Sequence, residues 1–349
     1  MSVIKISDRS IGKDNPPFII AELSGNHQQS IDKALAMVDA AAKSGVHAIK
    51  LQTYTADTMT LNLQSNEFYL SDPESLWHGN SLYHLYEQAM TPWEWHKEIF
   101  EYAKKLGLIA FSSPFDETAV DFLEQLNVPC YKIASFENID HALLRKVAQT
   151  GKPVIMSTGM ATPVELAESV VVLREAGCKD LILLKCTSDY PARPVDANLC
   201  TIPHLRDLFS CQVGLSDHTL GIGVAITSVA MGATVIEKHF VMDRNEGGVD
   251  AEFSLQPQEM AQLVEESKNA WLSLGHIHYG ATEKELAAQK HRRSLYICED
   301  MKAGDIFTKE NLRSIRPGLG LAPKYLQQVL GRRLLMDSAV GTALSWKHF

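Results

Sequence analysis

The sequence has no run approaching the ~20 apolar residues that a membrane-spanning helix needs. Its start, MSVIKISDRS, has no apolar segment of the kind a secretory signal carries, so a cytoplasmic location is expected. It also has no basic excess: 33 Lys and Arg stand against 42 Asp and Glu, for a net charge of −9. Nonspecific nucleic-acid binding needs a basic face, so neither nucleic acid nor membrane is an expected partner. The six cysteines (Cys130, Cys178, Cys186, Cys200, Cys211, Cys298) show no C-x-x-C pairing and no zinc spacing. They read as reduced thiols, several of them inside apolar runs. No G-x-G-x-x-G follows the first apolar run, which removes the usual signature of a dinucleotide fold.

What is present is a series of short apolar runs with helical spacers. The runs are Phe18–Leu23, Ala48–Tyr54, Ile109–Phe115, Cys130–Ser135, Pro153–Gly159, Leu181–Cys186, Val213–His218 and Val235–Phe240. Continuous apolar runs bounded by turn residues suit parallel strands buried on both faces. Between them, Ser30–Ser44 reads as a helix with Ser30 as N-cap and Gly45 as its stop. Thr91–Leu106 opens on Thr-Pro, with the proline expected at the first helical position, and stops at Gly107. Thr162–Ala176 opens on TPVE, a capping-box pattern. Gly221–Met231 and Gln256–Leu274 follow the seventh and eighth strands. Eight strand–helix units in series predict an α/β protein with a (β/α)8 TIM barrel; a doubly wound open sheet is the alternative.

The 349 residues exceed the roughly 250 of one barrel. Residues 1–275 are expected to form the barrel domain, 276–293 a polar linker and 294–349 a compact α+β module. Such a small module makes a marginal core by itself. A further excursion, Thr55–Met90, carries Asn66, Trp77, Tyr83 and Tyr86, and is expected to cover or wall the barrel mouth.

Functional side chains of a barrel come from the carboxyl ends of its strands. Here those ends carry Glu22; Lys50 and Gln52; Ser112 and Ser113; Lys132 and Ser135; Ser157; Lys185; Ser216 and His218; and Glu237, Lys238 and His239. Lysines on buried strands are costly unless paired. Four of them, with serines at five strand ends once Ser24 after the first run is counted, predict an anion site for phosphate or carboxylate. Lys132 and Ser135 are three apart, so both face inward only if their strand ends before Ser135. His218 and His239 close adjacent strands and are placed to share one divalent metal, leaving open positions that suit catalysis.

The motifs FIIAELSGNH, AIKLQTY, FSSPFD, YKIAS, STGMAT, KCTS-x-YP, GLSDHT and VIEKHF, in this order, resemble the sialic acid synthase family. The resemblance covers essentially the whole chain, including RSLY and RPGLG near the C-terminus. SLWHGNSLYHLYEQAMTPWEWH, YKIASFE and GGVDAEFSLQP are most similar to the family's pseudaminic acid synthase branch. Ser188 stands where the N-acetylneuraminate branch has Asn.

The resemblance implies a barrel followed by an antifreeze-like (SAF) α+β domain of β-clip type. It implies a transferase that condenses phosphoenolpyruvate with 2,4-diacetamido-2,4,6-trideoxy-L-altrose. The products are a nine-carbon keto acid and phosphate, by C–O cleavage, for flagellin glycosylation or surface polysaccharide. Carried over by motif, Lys50, Ser113, Lys132, Ser135, Ser157 and Ser216 hold phosphoenolpyruvate. Gln52, Tyr190, Asp250 and Arg316 are on the sugar side. His218 and His239 bind Mn²⁺, with Mg²⁺ or Co²⁺ as alternatives. Lys50 and Lys132 offset substrate charge, and Glu22 and Glu237 handle protons and orient water. Arg316 would reach the barrel of the partner in a domain-swapped homodimer. Alternatives are an N-acetylneuraminate or legionaminate synthase, a Schiff-base barrel aldolase using Lys132 or Lys185, and a non-catalytic sugar-binding or antifreeze-like protein.

Overall fold

The computed structural model describes residues 2–73 and 76–349. Ser75, which opens the SLWHGN motif, lies outside them. The chain divides into two compact units, Met1–Gly275 and His276–Phe349.

The first unit opens with an antiparallel hairpin, β1 (Ile4–Ile6) and β2 (Arg9–Ile11), paired Ile4 to Ile11. Ile4, Ile6 and Ile11 are buried in the main core. The Gln212 side chain donates to the Ser2 carbonyl at 2.9 Å, which ties this segment to the amino-terminal end of the barrel.

Eight parallel strands follow. They are β3 (Phe18–Glu22), β4 (Ala48–Thr53), β5 (Ile109–Pro114), β6 (Tyr131–Ile133), β7 (Val154–Ser157), β8 (Leu181–Cys186), β9 (Gln212–Asp217) and β10 (Val235–His239). They pair in sequence order and β10 closes on β3, making a barrel. The expected (β/α)8 architecture holds, and the open sheet is excluded. Every β3 and β10 residue is buried, because the strands face the barrel interior on one side and helices on the other.

The spacers form helices for the expected local reasons. The Ser30 hydroxyl accepts from the Lys33 N–H to cap Ile31–Lys43, and Gly45 turns with φ +79°. Thr162 and Glu165 form a full capping box on Pro163–Glu175. Pro92 differs from expectation. Its extended ψ of 131° makes it the N-cap, so the helix begins one residue later, at Trp93. Among the described residues no helix is long and apolar enough to cross a membrane.

The second unit pairs β11 (Ser294–Ile297) with β12 (Leu312–Ile315) antiparallel. Leu295, Ile297, Phe307, Leu312, Val329 and Leu344 form a small core of its own.

Candidate active site

A cavity of about 470 Å³ opens at the carboxyl ends of the barrel strands. Strand register places its floor. Glu22 pairs across with Lys50 and His239, Gln52 with Ser113, and Ser216 with both Cys186 and Glu237. Paired residues face the same way, so these side chains converge inside the barrel.

The floor is a buried charge cluster. Lys50 Nζ stands 2.7 Å from Glu22 Oε2 and 3.2 Å from Glu237 Oε2. Lys132 Nζ stands 3.6 Å from Glu237 Oε1 and donates to Ser157 Oγ at 2.7 Å. Ser216 donates to Glu237 Oε1 at 2.9 Å, and Lys50 donates to Ser113 at 3.4 Å. Burial alone would push the Glu237 carboxyl up. The Lys132 and Lys50 ammoniums and the Ser216 hydroxyl outweigh it and hold Glu237 well below the ordinary carboxylate range. Burial brings the Lys50 ammonium down to about 8, against the opposing pull of Glu237.

β6 ends at Ile133, so the backbone is free to turn and both Lys132 and Ser135 line the cavity. Ser188 donates to Ser135 Oγ at 2.8 Å. Gly159 is required beside it: at φ +50°, a Cβ there would stand 2.5 Å from Ser135 Cβ. Asn138 donates to the Ser157 and Thr158 carbonyls at 3.1 and 2.9 Å, fixing the end of β7.

The two histidines expected to share a metal lie side by side. The His218 and His239 ring centroids are 5.3 Å apart. His218 Nδ1 lies 2.9 Å from the Thr187 carbonyl, which can only accept, so Nδ1 carries a proton. Burial works against a charged His218 ring, but Cys186 and the Thr187 carbonyl outweigh it and raise its pKa. His239 Nδ1 is buried with no hydrogen-bond partner, 3.6 Å from Asp250 Oδ2. Burial lowers the His239 pKa well below the ordinary value, keeping a neutral imidazole. Two imidazoles, one with an orphaned nitrogen beside a carboxylate, are donors of the type a divalent ion takes. Among the described residues no three such side chains gather into a closed metal cage, so an ion here would keep open positions.

On the other side of the cavity, Gln52 donates to Ser24 Oγ at 3.5 Å, and Ser24 in turn donates to Asp250. The Tyr190 ring packs 4.6 Å from His218 and 5.3 Å from Phe253. The excursion supplies an apolar wall through Met59, Leu70, Trp77, Leu82, Leu85 and Tyr86. Tyr83 instead turns outward to bond Asp57 at 3.1 Å.

Some expectations need correction. Only two of the four strand lysines reach the cavity. Lys238 lies on the outer face of the barrel, fully buried, 2.8 Å from Asp217 Oδ2. Lys185 alternates with the cavity residue Cys186 and bonds Thr187 Oγ1 at 2.6 Å. Ser112 likewise faces outward, 2.6 Å from Thr53 Oγ1. Arg316, expected to act on a partner's barrel, is an exposed residue of the second unit, which leaves that expectation open. Glu237, held ionised by two lysines, is poorly suited to donate a proton.

Glu137 was missed. It lines the cavity, and burial pushes its carboxyl up to about 7. Its signal was available, two residues after Ser135 in YKIASFE, but burial cannot be read from a polar loop.

A family model described as NeuB family matches residues 37–279, and one described as SAF domain matches 292–349. The chain belongs to the NeuB family. Its relatives include the pseudaminic acid synthases of Campylobacter jejuni and Helicobacter pylori. The first is 44% identical over 336 residues, covering 96% of this chain and 97% of that protein. The second is 41% identical over 331 residues, covering 95% and 97%. Among solved structures, the N-acetylneuraminic acid synthetase of Leptospira borgpetersenii in complex with citrate matches with a TM-score of 0.74. It is 32% identical and covers 82% of this chain and 95% of that one. NeuB-family membership and relatives named as synthases make the chain an enzyme, and they agree with the barrel and the SAF assignment of the second unit.

Proposed function

We propose that the chain is a pseudaminic acid synthase, a transferase that joins phosphoenolpyruvate to 2,4-diacetamido-2,4,6-trideoxy-L-altrose. The observation that carries this reading is the cavity floor: two lysines and a ring of serines beside two adjacent histidines, one with an unpartnered buried nitrogen. The named relatives supply the branch.

Lys50 and Lys132 face the substrate's carboxylate and phosphate, and Ser113, Ser135, Ser157 and Ser216 accept or donate around them. C3 of phosphoenolpyruvate then forms the new bond to the sugar's aldehyde carbon. The aldehyde oxygen takes a proton, for which Glu137, raised to about 7 by burial, is the suited donor. Water adds at C2, oriented by the Glu22 and Glu237 carboxylates, and passes its proton to Glu22. The C2 hydroxyl of the tetrahedral intermediate then gives its proton to the departing phosphate as the C–O bond to phosphate breaks, leaving a 2-keto acid. His218 and His239 would hold Mn²⁺ or a similar divalent ion. When bound, that ion polarises a carbonyl oxygen. Gln52, Tyr190 and Asp250 are read as sugar contacts, completed by Arg316 from the second subunit of a domain-swapped homodimer.

The Schiff-base reading loses support. Lys132 and Lys50 are both tied to carboxylates, and Lys185 is off the cavity. Because phosphoenolpyruvate is a central metabolite, we place the enzyme in the cytoplasm.

A substrate panel tests the proposal. Phosphate release should be fastest with the trideoxy altrose, slower with its mannose-configured counterpart and slowest with N-acetylmannosamine. Chelation should abolish release and Mn²⁺ restore it. Preferred turnover of N-acetylmannosamine, or full activity in chelator, overturns it.

A further inference from the structure

We infer that helix Leu82–Ala89 selects the sugar by its far end, accepting a methyl group at C6 and disfavouring a hydroxyl. This rests on the reading above, in which an open-chain sugar lies with its aldehyde at the charged floor.

The cavity is divided in chemistry. Its charged side chains come from the barrel strands and the loops that follow them. The wall contributed by Thr55–Met90 is apolar: Met59, Leu70, Leu82, Leu85 and Tyr86 line it. An aldehyde carbon held at the floor leaves the sixth carbon of an extended chain roughly 6 Å away, on bond lengths alone. The far end of the sugar therefore leaves the charged groups and meets this wall. The wall offers few polar atoms. Trp77 Nε1 already donates to the Val249 carbonyl at 3.0 Å, and Tyr86 carries a hydroxyl. A sugar hydroxyl placed there gives up water for little in return.

The wall is also fixed in place. A Cβ on Gly25 would stand 2.9 Å from Ala89 Cα, so the helix rests directly on the backbone of the turn that follows β3. Gln29 Nε2 donates to the Gln88 and Met90 carbonyls at 3.0 and 2.6 Å. His27 and Thr91 are bonded at 3.2 Å immediately after the helix. Leu85 is only 9% exposed, packed at the base of the wall. A helix held this way cannot easily retreat to admit water with a polar substituent.

A hydrophobic pocket discriminates against an added hydroxyl by about 10²-fold, and no more is expected here. The test compares 2,4-diacetamido-2,4,6-trideoxy-L-altrose with the same sugar bearing a 6-hydroxyl, using the full chain. The kcat/KM ratio should favour the 6-deoxy sugar by about 10²-fold in the native enzyme. Leu85→Asn should reduce that ratio at least tenfold. The KM for phosphoenolpyruvate, bound at the other end, should stay constant. Leu82→Gln, in the helix's partly exposed first turn, gives the same readout if Leu85→Asn fails to fold. An unchanged ratio in the folded variants, or equal native turnover of both sugars, overturns the inference while leaving the reaction intact. Native turnover of neither sugar refutes the underlying reading and this inference with it.

Discussion

Glu137 and Glu237 share one cavity and are pushed in opposite directions. Glu237 faces two ammoniums and stays ionised; for Glu137 burial outweighs the pull of Lys132 and Lys50, and it holds its proton to about 7. The donor form of Glu137 exists below that pH, so kcat should fall as pH rises through about 7. Lys50 loses its charge through about 8, so kcat/KM for phosphoenolpyruvate should fall further there. Glu137→Gln should lower kcat by about 10²–10⁴-fold and remove the lower limb while keeping the limb near 8. An unchanged pH–rate profile in the variant would contradict the role. At this scale the sequence was partly legible. Lysines and histidines at strand ends stood out because they are rare on buried strands. Which face each lysine takes depends on one residue of register, which apolar runs do not fix, so the outward placement of Lys185 and Lys238 is not legible in the sequence.

Lys238 shows what an outward lysine does within an element. It precedes His239, and its partner Asp217 precedes His218. Lys238 also donates to the Thr219 carbonyl, and Thr219 Oγ1 donates back to Asp217 at 2.9 Å. This buried network joins the ends of β9 and β10 behind the two histidines. Asp217→Asn would leave a lysine buried and unpaired. It should cost about 3–5 kcal/mol, read as a fall in denaturant midpoint. A loss below about 1 kcal/mol, in the range of an exposed pair, would mean that the pair is not buried as described. Strand existence and order were legible here because the apolar runs are continuous and evenly spaced. The β1–β2 hairpin is not legible in the sequence, although Ile4, Ile6 and Ile11 are all buried. Three-residue strands offer too little periodicity to stand out.

At the scale of the molecule, the chain carries more than its barrel. The second unit has its own core and the exposed Arg316. The barrel core lies wholly within the first unit. A chain ending at Gly275 should therefore keep a cooperative unfolding transition. If Arg316 completes the site of a partner subunit, that chain should lose about 10²-fold or more in phosphate release. Full activity in the truncated chain would remove the second unit from the mechanism. The division into units was legible because composition changes after Gly275; how the second unit serves the first is a question of assembly, which spacing does not encode. The central claim is a condensation that breaks the C–O bond of phosphoenolpyruvate. It is tested most directly with ¹⁸O in the bridging position and the trideoxy altrose as acceptor. The account predicts sugar-dependent release of labelled phosphate with an unlabelled nine-carbon keto acid. Label retained in the keto acid would contradict it.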